Sequence, residues 1–195
     1  MNQTKTQFKN IENFLALDLG DLPEGRCEYV DGELVELMPE GEENDWIANY
    51  LFYLLVQANI TQPKLIRPGR CEVEVPGTPQ TRFPDLVILT EEHPGLTKRR
   101  LTITHTMPAP RLVVEVISPG KKNRERDTVD KRQQYAERGI PEYWLIDPEN
   151  QSITVLKVVD EQYTEHGIFR GDDRIDSPTF GLLQLTAAQI LNAGN

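Results

Sequence analysis

Apolar and polar positions follow two different periods along this chain, and the switches between them mark its elements. From Glu43 to Asn59 the residues Trp46, Ile47, Tyr50, Leu51, Leu54 and Leu55 recur at spacings of three and four, which predicts an amphipathic helix. A shorter helix is expected over Asn10 to Leu19, carried by Ile11, Phe14, Leu15 and Leu17. Between them, Cys27 to Met38 forms two β-type runs around Asp31-Gly32; both turn positions tolerate positive φ, so a hairpin is expected. Lys64 to Val75 reads as one strand closed by Pro76-Gly77-Thr78-Pro79. Two short runs, Leu86 to Leu89 and Arg111 to Ile117, are almost wholly apolar. A second long helix is predicted over Asn123 to Arg138, stopped by Gly139 with Pro141 beyond it. Glu142 to Ile146 reads as a strand, Ser152 to Val159 and Gln162 to Phe169 as an antiparallel pair, and Thr186 to Leu191 as a closing helix.

Continuously apolar strands joined by a helix, Leu112–Ile117 and Tyr143–Ile146, imply a βαβ unit with that pair buried on both faces. The hairpins elsewhere imply antiparallel edges. The fold class is therefore α/β: a mixed central sheet flanked by helices, with antiparallel hairpins added. No internal repeat or linker is visible, and 195 residues suit one domain over 1–195, with 1–23 as an N-terminal extension.

Composition narrows the function classes. Hydrophobic residues make up 38% and charged residues 27%, a globular balance. No apolar run approaches the ~18 residues that span a bilayer, so no membrane role is expected. Met1 to Asn10 is polar, without the apolar stretch of a secretory signal. Cys27 and Cys71 make neither a disulfide framework nor a zinc site, so reduced thiols and a cytoplasmic location are expected. The net charge of −10 argues against strong sequence-independent binding to a duplex. The bases are nonetheless concentrated in Lys98-Arg99-Arg100 and in Lys121 to Arg126. His93, His105 and His166 have no metal-ligating spacing and are read as surface positions.

One feature stands out chemically: acids inside buried strands. Glu115 interrupts Leu112-Val113-Val114 and Val116-Ile117, and Asp85 immediately precedes Leu86-Val87-Ile88-Leu89. An unpaired buried carboxylate costs several kcal/mol. Singly, Asp85 could cap a turn after Pro84 and Glu115 could pair with an internal arginine. Together, two acids on adjacent buried strands can converge, and they then repel unless a cation lies between them. Carboxylate oxygens of this kind suit Mg²⁺ or Mn²⁺.

Phe83-Pro84-Asp85 and Glu115-Val116-Ile117 are thirty residues apart and resemble the PD-(D/E)XK nuclease signature. Four segments are similar to the Uma-two family of restriction endonuclease-like proteins within that superfamily. They are Glu28 to Glu36, Pro84-Asp85-Leu86-Val87, Leu112 to Pro119, and Asp130 to Tyr135 continuing through Gly139 to Pro148. The resemblance implies a restriction endonuclease-like fold and a metal-dependent endonuclease acting on DNA. It also implies roles. Asp85, Glu115 and Lys131 would be catalytic, and Asp85, Glu115 and the Ile117 carbonyl would hold Mg²⁺ or Mn²⁺. Glu28, Asp127 and Tyr135 would be auxiliary, and Arg124 and Arg126 would touch phosphate.

Two departures from the family pattern matter. The residue two after Glu115 is Ile117 rather than lysine, so the lysine would come from the next helix as Lys131. Relatives commonly carry a histidine near the start of the first long helix, where this chain has Glu43-Asn44-Asp45. Asp127, Lys131 and Tyr135 share one helical face by spacing, with Val129 and Ala136 expected opposite. A solvated Asp127–Lys131 pair is the plainer reading of that spacing. The rival to an enzyme is a catalytically silent module that binds nucleic acid or protein on the same fold. A glycosidase using Asp85 and Glu115 ranks last, because no aromatic cluster lines a sugar cleft. A homodimer would suit an enzyme that cuts both strands of a duplex.

Overall fold

A computed structural model describes residues 7–194, so part of the polar N-terminal stretch lies outside the described residues. The first helix, α1 (Ile11–Leu15), begins where the Asn13 N–H donates to the Asn10 side chain at 3.0 Å. The expected hairpin follows as β1 (Cys27–Val30) and β2 (Glu33–Glu36), turning through Asp31 at φ 48° and Gly32 at φ 95°. Both turn residues occupy the left-handed region, as a tight hairpin between right-twisted strands requires. Phe14 is buried and stacks on Tyr29 at 5.4 Å, and the guanidinium of Arg100 sits 4.2 Å above its ring. The segment ahead of the hairpin is thus pinned to it. Arg99 and Arg100 also donate to the carbonyls of Phe14, Leu15 and Ala16, which occupies the first basic stretch.

The long helix α2 (Glu42–Gln57) buries Ile47, Leu51, Leu54 and Leu55 as its spacing predicts. Trp46, on the same predicted stripe, is instead about half exposed. The expected strand over Lys64 to Val75 is two strands in two sheets: β3 (Ile66–Pro68) and β4 (Glu72–Glu74). Gly69, at φ 57°, makes the break. Next come β5 (Thr81–Arg82), β6 (Leu86–Ile88), the short α3 (His93–Leu96) and β7 (Thr102–Ile103). Strand β8 (Leu112–Val116) leads to a helical stretch whose parts are α4 (Lys121–Glu125), a π turn (Arg126–Asp130) and α5 (Lys131–Glu137). The chain closes with β9 (Glu142–Asp147), β10 (Ser152–Val159), β11 (Gln162–Phe169), β12 (Arg174–Ser177), β13 (Gly181–Thr186) and α6 (Ala187–Leu191).

The central sheet has six strands in the order β11-β10-β9-β8-β6-β3. Only β8 and β9 are parallel, joined through the helical stretch as the βαβ reading requires; the other neighbours are antiparallel. Side chains alternate between the two faces. Leu112, Val114 and Val116 join the core under α2 and α6, while Val113 and Ile117 join the core under α5. The same alternation sends Trp144 and Ile146 of β9 to the α2 side and Tyr143 and Leu145 to the α5 side. The two cores together bury both faces of the parallel pair. The three-stranded sheet β5-β4-β7 has no expectation in the sequence reading, and neither does the pair β12-β13.

A candidate active site at the Asp85 and Glu115 carboxylates

The register of β6 on β8 explains why acids thirty residues apart meet. Leu86 pairs with Val114 and Val87 with Val113. Extending that antiparallel register by one step sets Asp85 opposite Glu115, both on the face toward α5. Asp85 is fixed there by its neighbour's backbone: the Val116 N–H donates to Asp85 Oδ2 at 2.7 Å.

Glu115 is 2% exposed, and both of its oxygens are engaged from the helix above. Lys131 Nζ lies 2.7 Å from Oε2, and the Tyr135 hydroxyl donates to Oε1 at 2.7 Å. Lys131 also pairs with Asp127 Oδ1 at 2.9 Å, and Arg126 Nε reaches the same oxygen at 3.1 Å. Asp127, Lys131 and Tyr135 therefore face the sheet, and the solvated-pair reading fails because Lys131 and Asp127 are buried. The face expected opposite is split. Val129 is exposed, whereas Ala136 is buried beside Tyr135, since the α5 core surrounds that turn. The π turn contributes to the placement. The Lys131 N–H bonds Arg126 O rather than Asp127 O, and the Tyr143 hydroxyl donates to the Asp127 carbonyl at 2.9 Å.

Electrostatics follow from burial and crowding. Burial drives the Asp85 carboxyl well above its ordinary range, and the Glu115 charge pushes it further. Burial likewise raises Glu115, against the pull of Lys131. For Lys131, burial favours the neutral amine, but Glu115, Asp127 and Asp85 outweigh it and the net shift is upward. Lys131 is therefore a fixed ammonium. Tyr135 is raised well above its normal value by burial and by Glu115, so it stays a phenol donor.

The remaining candidates are placed as follows. Glu28 is 3.2 Å from Arg82, whose Nε donates to Gln134, so Glu28 belongs to a network beside the two acids. Arg124 is bound to Asp147 and to Glu149. Arg126 holds Asp127. The Ile117 N–H donates to Ile146 O at 2.8 Å. Strand alternation therefore turns the Ile117 carbonyl toward β9 as well. The backbone that meets Asp85 is Val116, one residue earlier.

Sequence reasoning passed over three residues on this edge. Asn44 is buried and donates to Val116 O and to Ser118 Oγ, each at 3.0 Å, and Ser118 Oγ donates to Glu40 at 3.3 Å. Asn44 sits on the same stripe of α2 as Ile47 and Leu51. A polar residue on that apolar stripe was the available signal. It lies within Glu43-Asn44-Asp45, the stretch that stands where the family resemblance implies a histidine. The histidine reading needs one correction: His93 is fully buried, its Nδ1 accepting from the Thr90 N–H and its Nε2 bonded to Pro108 O.

Asp85, unlike Glu115 and Lys131, is part-exposed and lines a cleft of about 1580 Å³ between α2, the end of β2 and the 67–70 segment. Among the described residues no group of three or more His, Cys, Asp and Glu is set to hold a metal. No helix among them is long and apolar enough to cross a membrane.

Two adjacent strand acids thus lie under a helix-borne lysine on a mixed sheet. A family model, Uma2, described as "Putative restriction endonuclease", matches residues 11–188, and the chain belongs to that family. Among solved structures, the chain is similar to one described as a "putative nuclease belonging to DUF820" from Anabaena variabilis. The TM-score is 0.63 at 19% identity, covering 94% of this chain and 97% of that one, a likeness of fold. No curated protein matches the chain.

Proposed function

We propose that this protein is a metal-dependent endonuclease that hydrolyses phosphodiester bonds of DNA in the cytoplasm, using Asp85, Glu115 and Lys131. The observation that carries the reading is the convergence of two like-charged carboxylates in cross-strand register, with Lys131 Nζ 2.7 Å from one of them. A structural ion pair needs one acid. The second acid raises the cost, and a dication offsets it.

The donor set fits Mg²⁺ or Mn²⁺ sparingly. Asp85 commits Oδ2 to Val116, and no other hydrogen bond or ion pair to its side chain is found among the described residues. Magnesium is commonly held by one or two carboxylates together with water and substrate phosphate, so two acids suffice. Asp85 and Glu115 would hold the ion, which when bound would supply charge neutralisation at the phosphate and an acidified water. The chain's own groups do the rest. Asp85 presents its carboxylate to the cleft. Lys131, kept charged by three acids, opposes negative charge that develops on the phosphate; it does not act as a base. Tyr135 and Asp127 fix Glu115 and Lys131 in place.

The test is titration with Mn²⁺ followed by a plasmid-nicking assay, with Asp85→Ala and Glu115→Ala as controls. Nicking that requires the metal and is lost in both variants is the expected result. A native protein that binds no metal, with or without DNA, belongs instead to the rival class, a silent binding module on this fold.

A further inference from the structure

Glu115 and Lys131 are buried under the helix, whereas Asp85 is part-exposed and lines a cleft through which a polymer can approach. The lining of that cleft carries both signs of charge. Arg67 and Arg70 flank Gly69, whose N–H donates to the Asp85 carbonyl at 2.8 Å. Arg26 braces this turn by donating to the Gly69 carbonyl at 3.2 Å. Arg67 Nε is buried with no hydrogen-bond partner, and no ion pair to Arg67 or Arg70 is found among the described residues. In a chain of net charge −10, two adjacent unpaired guanidiniums are conspicuous. The lining also carries Glu36, Glu42 and Asp45, together with Glu40 and Glu72, which pair with Arg26 and Arg100. Phe83, part-exposed, lines the same cleft two residues before Asp85.

We infer that the cleft takes a single polynucleotide strand, its phosphates on Arg67 and Arg70 and a base against Phe83, in preference to a duplex. The inference rests on the nuclease reading for the kind of polymer and for Asp85 as the reacting edge. A duplex carries two rows of phosphate, and one pair of free arginines can neutralise only one of them. The second row would meet a lining otherwise rich in carboxylates. A single strand needs a basic track and an aromatic face, and both are here. Arg124 and Arg126, already engaged by Asp147, Glu149 and Asp127, are not required.

The experiment is fluorescence anisotropy of the full chain with a labelled oligonucleotide, single-stranded or as its blunt duplex, in EDTA so that nothing is cut. The single strand is expected to bind at least about tenfold more tightly than the duplex. Arg67→Ala and Arg70→Ala should each weaken strand binding several-fold and lower the slope of log K against log salt by about 0.7. Phe83→Ala should weaken it about tenfold with the slope unchanged. Arg170→Ala, outside the cleft lining, should match wild type. Arg70 is exposed, so its replacement tests the arginine pair without threatening the fold. Duplex bound as tightly as single strand, no strand binding by wild type, or wild-type affinity in both arginine variants would overturn the inference. Strand binding that depends on both arginines, without metal-dependent cleavage, would instead leave this inference standing and remove the endonuclease.

Discussion

Glu115 and Glu142 lie on the two parallel strands of one sheet, β8 and β9, and both are buried, at 2% and 0% exposure. They face opposite sides. Glu142 alternates with Trp144 onto the α2 side, where it accepts from the Trp144 indole, the Ser177 hydroxyl and the Thr179 N–H. Each of those donors is neutral, and Glu142 is not among the residues that line the cleft. Glu115 faces α5, where an ammonium and a phenol hold it and Asp85 crowds it. A buried acid in an apolar strand is therefore no mark of function in itself. The mark is a second acid in register, beside a cleft.

The largest effect that would break this contrast is on activity. Lys131→Ala and Glu115→Gln are expected to lower cleavage by about 10²–10³-fold, the cost of removing one group aimed at developing charge. Glu142→Gln should leave cleavage by the folded protein unchanged. Its effect belongs to stability: an amide cannot accept from all three donors, and leaving one unpaired costs about 1–3 kcal/mol, read by urea unfolding.

The third effect runs the other way. A carboxyl whose folded pKa lies above its unfolded value binds its proton more tightly when folded. The associated stability is present at low pH and is lost as pH rises through the folded value. At neutral pH the Asp85 charge is thus a cost, largely of burial and then of Glu115. Asp85→Asn can still accept from Val116, and in EDTA it should raise Tm by about 2–4 °C, the shift that ~1 kcal/mol gives at this size. It should do so while abolishing cleavage. An unchanged or lower Tm would show that the two acids are not in conflict.

The smallest effect lies at the end of β9. Burial alone would raise Asp147, but the hydrogen bonds from Arg124 and Asn150 prevail and its carboxyl is lowered. Its stabilisation is present above the unfolded value of about 3.9 and is lost as pH falls through the folded one. Arg124→Ala should cost about 1 kcal/mol or less at neutral pH, and the two melting curves should converge as the pH falls below the folded value. A loss of oligonucleotide binding in this variant would return Arg124 to the phosphate-contact role.

How much of this was legible in sequence depended on the length of each signal. Helix α2, the Asp31-Gly32 hairpin and the parallel pair β8 and β9 rest on long periodic runs or on strong turn chemistry. Strands β4, β5 and β7 are two or three residues each, too short to show a period, and Gly69 splits what reads as one strand. Asp85 and Glu115 were visible because each adjoins or interrupts an apolar run. Asn44 was hidden among its polar neighbours Glu42, Glu43 and Asp45, although its place on the α2 stripe was readable. The π turn and the side of β8 taken by the Val116 and Ile117 carbonyls are set by tertiary packing and strand pairing, which no local pattern encodes.

The central claim is that Glu115, and not merely a buried acid, serves metal-dependent hydrolysis. Its most direct test is cleavage of a labelled oligonucleotide in Mn²⁺ and in EDTA by folded wild type, Glu115→Gln and Glu142→Gln. Cleavage by wild type and Glu142→Gln that EDTA abolishes, with none above background by Glu115→Gln, is the predicted result. Cleavage indifferent to EDTA, or equally fast in Glu115→Gln, would contradict it.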